Sequence, residues 1–198
     1  MPADLHKPDL HLASASPRRR EILTALGLRF SYAGSDVDEV RAGGESAADM
    51  VMRLASAKAQ AACADRPGCA IIAADTAVVL GDRVFGKPLS KADGLTMLAA
   101  LSGRTHEVIT GVVVLHAGHE QKAMSRSLVT FRTITAAEAA AYWHSGEPQD
   151  KAGGYAIQGL AAVFVRDLHG SHSGVIGLPI CETAALLGNI GIHVLPQA

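Results

Sequence analysis

Apolar residues recur along this chain in two rhythms: short runs bounded by glycine, serine or proline, and longer stripes at helical spacing. Leu10–Ala13 is the first short run and reads as a strand. Ser14-Ala15-Ser16-Pro17 then supplies N-cap candidates and a proline at the first helical position. A helix over Arg18–Leu26 follows, with Ile22, Leu23 and Leu26 as its buried stripe and Gly27 as its stop. Leu28–Tyr32 reads as a second strand. Ser46–Ala64 is a helix opened by a Ser46…Asp49 capping pattern, and Val51, Leu54, Ala55 and Ala62 share one face of it. Ala70–Leu80 is apolar almost throughout, as in a strand buried on both sides. Gly81-Asp82 is a two-residue turn into Arg83–Phe85. Ser90…Asp93 opens a helix to Leu101, closed by Gly103. Thr105–His116 and Ser125–Thr135 are strands, and Thr135…Glu138 opens a helix to His144. After the loop from Gly146 to Gly159, Ala161–Val165 reads as a strand. Gly170–Pro179 is a second glycine-rich loop, and Glu182–Leu187 is a last short helix stopped by Gly188. Helices and strands alternate irregularly with hairpins among them, which predicts an α/β fold with a mixed β-sheet and flanking helices.

The 198 residues suffice for one domain, or for two tightly joined lobes. A chain 48% apolar and 19% charged reads as globular and ordered. No apolar run approaches a membrane span, and MPADLHKPDL lacks the apolar core of a signal peptide. A net charge of −1 offers no general field for nucleic acid, so neither nucleic acid nor membrane is expected as a partner. Cys63, Cys69 and Cys181 form no CxxC pair and are expected as reduced thiols in a cytoplasmic protein. His116/His119 and His169/His172 are HxxH pairs without the third ligand that zinc requires. Dinucleotide, P-loop and nucleophile-elbow motifs are all missing.

The chemistry lies in residues that break the pattern. Asp75 stands inside the most apolar strand, where an ionised carboxylate needs a lysine, a metal ion or a substrate as partner. The Gly81-Asp82 turn returns Lys87 toward its level. Such a pair is either a catalytic or metal site or a buried structural ion pair. Lys58 lies on the apolar face of its helix, and either snorkels or reaches into a cleft. Arg18, Arg19 and Arg20 oppose the dipole of the helix they open, which is sensible where an anion sits there and otherwise marks a solvated basic patch. Asp36, Asp38 and Glu39 form an acidic loop. Cations for phosphates, carboxylates for a hard divalent ion and a carboxylate base together describe a phosphoanhydride hydrolase. A nucleotide sensor without turnover is the competing assembly.

Seven segments in order, LASASPRRREIL (12–23), MRLASAKA (52–59), AADTAVVLGDRVFGKP (73–88), LSGRTHEVITGV (101–112), VTFR (129–132), KAGGYAIQG (151–159) and GSHSGVIGLP (170–179), resemble the Maf family of nucleotide pyrophosphatases. The resemblance runs from about Leu10 to Leu187 and implies one Maf-like domain over residues 1–198, with two lobes around a nucleotide cleft, as in ITPase-like folds. It implies hydrolysis of a nucleoside triphosphate to monophosphate and diphosphate with a divalent cation (Mg²⁺, Mn²⁺ or Co²⁺), and a homodimer. Tyr142 and Trp143 read as core or interface residues, and with the C-terminal helix they are candidates for the dimer surface. Carried onto this chain, it makes Asp75 the base that activates water. Asp38, Glu39 and Asp75 become the metal carboxylates, and Ser14, Ser16, Arg18, Lys58 and Lys87 the phosphate-holding groups. Arg18, Thr76 and Gln158 match the branch of the family that acts on dTTP and UTP, with modified pyrimidine nucleotides as further expected substrates. The 7-methyl-GTP branch carries other residues at those places, and a nucleotide-binding regulator of septum formation is the remaining alternative. The Gln158 amide offers both a donor and an acceptor to a pyrimidine edge. Gly174 departs from the family pattern, where a bulkier or polar residue is expected, and reads as a loosening of its loop.

Overall fold

The computed structural model describes residues 9–195, so the stretch examined for a signal peptide lies almost wholly outside the described residues. In chain order the elements are β1 (Leu10–Ala13), α1 (Pro17–Ala25), β2 (Ser31–Ala33), α2 (Ala47–Ala64), β3 (Ala70–Leu80), β4 (Arg83–Phe85), α3 (Lys91–Leu101), β5 (Thr105–His116), β6 (His119–Phe131), α4 (Ala136–His144), β7 (Val165–His169), α5 (His172–Ile176) and α6 (Ile180–Gly188). The strands form a mixed seven-stranded sheet in the order β2-β1-β3-β5-β6-β7, with β4 paired to β3. β1 runs parallel to both β2 and β3, while β3/β4 and β6/β7 are antiparallel. No helix among the described residues is long and apolar enough to cross a membrane.

The chain divides into two compact units. The first takes the residues up to Asp75, Thr110–Met124 and those from Gly177 onward. Leu12, Leu23, Leu54, Ile72, Leu178 and Leu187 are buried in it, and one cluster of its core is built largely of small side chains. Ala55, Ala59 and Ala62 of α2 pack with Ala13, Ile71, Ala73, Val113 and Leu115 of the strands. Gly111 of β5 belongs to the same economy, since a Cβ there would lie 3.2 Å from the Val51 backbone. The alanines and this glycine bring a helix close to the sheet. α2 is opened by Ser46, whose side chain accepts from the Asp49 amide.

The second unit comprises Thr76–Ile109 and Ser125–Ile176. Its core is aromatic. Phe131 meets Tyr155, His106 and Phe164 edge-on, with ring centroids 4.8, 4.9 and 6.3 Å away. Val78, Phe85, Leu98 and Leu101 close around them. Full burial of a side chain of this size is worth about 1.5–3 kcal/mol. α4 carries a complete capping box between Thr135 and Glu138. Tyr142, read above as core or interface, is 5% exposed and part of this core. Trp143 covers Gly94, where a Cβ would come within 2.2 Å of its ring.

Several boundaries differ from the pattern reading. The second strand is Ser31–Ala33 rather than Leu28–Tyr32. The sixth begins at His119, because Ala117 and Gly118, both at positive φ, make a two-residue turn straight out of β5. Its first half, HEQKAM, carries no apolar alternation to announce it. The run read as a strand over Ala161–Val165 is a 3₁₀ helix at Leu160–Phe164, with β7 beginning only at Val165. The segment from Gly146 to Gly159 contains two 3₁₀ turns, Glu147–Asp150 and Ala152–Gly154. Residues His172–Ile176 of the second glycine-rich loop coil into α5. Gly174 is buried in α5, and a Cβ there would stand 2.7 Å from Ser125 Oγ, so glycine tightens this turn rather than loosening it.

Candidate active site

In the first unit, β1 delivers Ser14 to the end of a buried strand, and α1 starts three residues later. Ser14 Oγ accepts from the Ser16 amide at 3.2 Å and from Arg19 Nη1 at 3.3 Å. Arg19 Nε donates to the Gly177 carbonyl at 2.7 Å. Ser16 holds the N-cap position of α1, and its side chain makes no cap hydrogen bond. The three arginines therefore part ways. Arg18 is half-buried, Arg19 turns onto Ser14 and Gly177, and Arg20 lies over the Tyr32 ring at 4.4 Å. Arg19 is the one that sequence reasoning did not single out. Burial draws its pKa down, while the charges of Asp75 and Glu39 push it back up. Nothing in RRR distinguishes the middle residue, whose partner Gly177 is 158 positions away.

Lys58 rides on the buried face of α2 and is only 7% exposed. Its ammonium turns inward, donating to Asp75 Oδ1 at 2.7 Å and lying 2.6 Å from Glu39 Oε1. Asp75 is the last residue of the first unit, halfway along β3. One cation thus sits between two carboxylates from separate stretches of chain. The acidic loop is held to α2 by Ser35, which donates to the Lys58 carbonyl at 3.3 Å, and by Arg53, which bonds the Glu45 carboxylate and the Val40 carbonyl. Asp38 has a different occupation: its Oδ1 accepts from the Val40 amide at 3.0 Å, forming an Asx turn within the loop.

In the second unit, Thr76 follows Asp75 on β3. The β3/β4 ladder pairs Val78 with Phe85, and Lys87 follows two residues after the end of β4. Lys87 is exposed. The Gly86 carbonyl before it accepts from the Gly153 amide at 3.0 Å, which ties this segment to the loop that bears Gln158. Gly153 has φ +70, and a Cβ there would press on the Val78 side chain at 3.1 Å. Both demands require glycine. Gln158 is exposed at a tight turn closed by the Gly159 amide on the Ala156 carbonyl at 3.0 Å. Buried Ile157 anchors the turn from below. Tyr155 shares a 2.8 Å hydrogen bond with His106 Nε2.

The donor set suits a hard divalent cation. Asp75 and Glu39 present carboxylate oxygens that already converge on a positive charge, the Lys58 ammonium. Among the described residues no group of three or more histidine, cysteine or acidic side chains is placed to hold a metal by itself. Two carboxylates with substrate phosphate oxygens completing the shell is the manner in which Mg²⁺ is usually bound.

A family model described as "Maf-like protein" matches residues 9–190. This chain belongs to the Maf-like protein family. Curated relatives match along nearly their whole length. A protein of Saccharophagus degradans is 50% identical over 190 residues, covering 94% of this chain and 90% of the relative. One from Bordetella avium is 49% identical over 196 residues, covering 94% and 98%. One from Myxococcus xanthus is 48% identical over 183 residues, covering 92% and 93%. All three carry the name dTTP/UTP pyrophosphatase. The Maf segments quoted from the sequence fall in both units of the fold, the SPRR, SAKA and AAD stretches in the first and the GKP, IQG and SHSG stretches in the second.

Proposed function

We propose that this Maf-family chain is a cytoplasmic nucleoside triphosphate pyrophosphatase that hydrolyses dTTP and UTP to the monophosphate and diphosphate. The observation that carries the reading is the buried Lys58 ammonium between Asp75 and Glu39. The names of relatives about half identical to this chain support the substrate class. Asp75 takes the proton of a water that attacks the phosphorus bearing the nucleoside. The anhydride bond to the next phosphorus breaks, and diphosphate leaves with the bonding electrons. The hydrogen bond from Lys58 to Oδ1 fixes the orientation of the Asp75 carboxylate, so little reorganisation accompanies the proton transfer. Asp75 and Glu39 are the residues that would hold a divalent ion, with Asp38 committed to its own loop. Such an ion supplies neutralisation of the charge that develops on the phosphate oxygens.

In this reading Ser14, Ser16, Arg18, Lys58 and Lys87 hold phosphate, joined by Arg19 through its bond to Ser14. Thr76 and Gln158 discriminate the base together with Arg18. A site that hydrogen-bonds a base edge rejects bases that leave its buried groups unpaired, at about 1–3 kcal/mol each. The test is diphosphate release across a nucleotide panel with Mg²⁺, Mn²⁺ and Co²⁺. Turnover of dTTP and UTP well ahead of ATP and GTP is expected. Tight nucleotide binding without diphosphate release would overturn the reading in favour of a regulator.

A further inference from the structure

Gln158 is exposed at the tip of its turn, and a base-reading amide must be held there by something other than its own packing. Two side chains outside the sequence motifs do the holding. Tyr142 of α4 donates its hydroxyl to Glu147 Oε1 at 2.6 Å, and the same hydroxyl accepts from the Ala156 amide at 3.1 Å. Glu147 accepts from the Leu160 amide on Oε2 at 2.9 Å and from the Ala161 amide on Oε1 at 3.3 Å. One linked hydroxyl and carboxylate therefore grips the backbone two residues before Gln158 and two and three residues after it. Gly159 is shaped to admit the clamp. A Cβ there would stand 2.1 Å from Glu147 Oε2, so glycine is needed for the carboxylate's approach.

We infer that Tyr142 and Glu147 are positioning residues for base selection, fixing the Ala156–Ala161 turn so that the Gln158 amide is presented in one orientation. The inference rests on the proposed role of Gln158. Burial and the Glu147 contact push the Tyr142 hydroxyl far up, so it stays a donor. Burial pushes Glu147 up as well, but its bonds from Tyr142, Leu160 and Ala161 prevail and keep it an acceptor. Preorganised orientation matters because a misdirected amide offers its donor where an acceptor is wanted, and discrimination between bases then collapses.

The experiment measures kcat and KM for dTTP and GTP, and calorimetric binding of dTMP and GMP, in the parent, Tyr142→Phe, Glu147→Gln, Gly159→Ala, Gln158→Ala and Tyr142→Phe/Gln158→Ala. Tyr142→Phe loses one oxygen and no packing, so it reports even where a charge change at Glu147 prevents folding. The expected result is a fall of about tenfold in the dTTP-to-GTP preference for the first three variants, mainly through KM for dTTP. In the Gln158→Ala background, Tyr142→Phe should move that preference less than about twofold, because the clamp acts through Gln158. If Tyr142→Phe lowers both nucleotides equally while Gln158→Ala changes the preference, the clamp is ordinary scaffolding and the inference fails with the base-reading role intact. If Gln158→Ala leaves the preference unmoved in both turnover and binding, the base-reading role fails and the inference falls with it.

Discussion

A charge in an apolar strand can be a tool or a structural pair, and the two demand different things of the same atoms. Lys58 has little exposure and two carboxylate partners, so its removal strands Asp75 in a half-buried position. Lys58→Met should cost about 3 kcal/mol, the low end for breaking a buried pair because Glu39 is half exposed. Asp75→Asn keeps an oxygen that accepts from the Lys58 ammonium and should lose less than about 1.5 kcal/mol, as a bond between two charges becomes one between a charge and an amide dipole. Its turnover should nevertheless drop by about 10²–10⁴, the usual consequence of removing a general base. Urea melts and initial rates on the two variants read both quantities. An Asp75→Asn protein with rates near the parent, and a stability loss as large as that of Lys58→Met, would make the cluster a structural ion pair. Both residues were legible in the sequence because each is a charge where the apolar period expects none. Glu147 and Arg19 were not, since what distinguishes them is a partner remote in sequence or a backbone amide, which no periodicity records.

Among the elements, the ones with strong periods were readable and the ones fixed by side-chain-to-backbone bonds were not. α2, α3 and α4 begin at their Ser or Thr caps, as their capping patterns predict. The apolar run Leu160–Phe164 coils into a 3₁₀ turn because Glu147 satisfies its first amides, a fact invisible in a run of Leu, Ala, Val and Phe. The turn between β5 and β6 gives a test at this scale. Ala117 is exposed with φ +48, in a conformation that L-residues other than glycine, asparagine and aspartate occupy at a cost of about 1–2 kcal/mol. Asn-Gly is the favoured pair for such a turn. Ala117→Asn should raise stability by about 0.5–1 kcal/mol and leave turnover alone, as thermal melts and rate assays can show. The buried bond between His106 and Tyr155 gives a second. Burial lowers the His106 pKa to about 4 against 6.5 for a free imidazole. The unfolded chain therefore binds the proton first, and stability falls as pH drops from about 6.5 toward 4. The loss amounts to roughly 3 kcal/mol from this group by pH 4. His106→Gln should flatten that stretch of the pH–stability curve, at the expense of stability at neutral pH.

For the molecule as a whole, the segments that carry the family resemblance lie in both compact units, and Asp75 and Thr76 are consecutive residues belonging to one unit each. That division was not readable from composition, which shows no linker, because β3, β5 and β6 each contribute residues to both units. Ligand linkage tests the proposed chemistry on the intact protein without relying on catalysis. With a net charge near zero the chain has no general attraction for polyphosphate, so any stabilisation by a nucleotide must come from local groups. The Asp75→Asn variant, turning over slowly, can be melted in the presence of intact dTTP. At a hundred times Kd the folded state gains about 2.7 kcal/mol, which for a chain of this size is a rise of about 5–10 °C in Tm at roughly 2–4 °C per kcal/mol. The expectation is such a rise with dTTP and Mg²⁺, a smaller one when the metal is chelated, and a smaller one again with GTP at the same concentration. Arg18→Ala should shrink the dTTP shift and its dependence on salt together, since a phosphate-holding cation contributes a screened interaction that a packing residue does not. Equal shifts with dTTP and GTP would remove base selection from the binding step, and an Arg18→Ala protein with an undiminished shift would return the arginine to the role of a solvated surface charge.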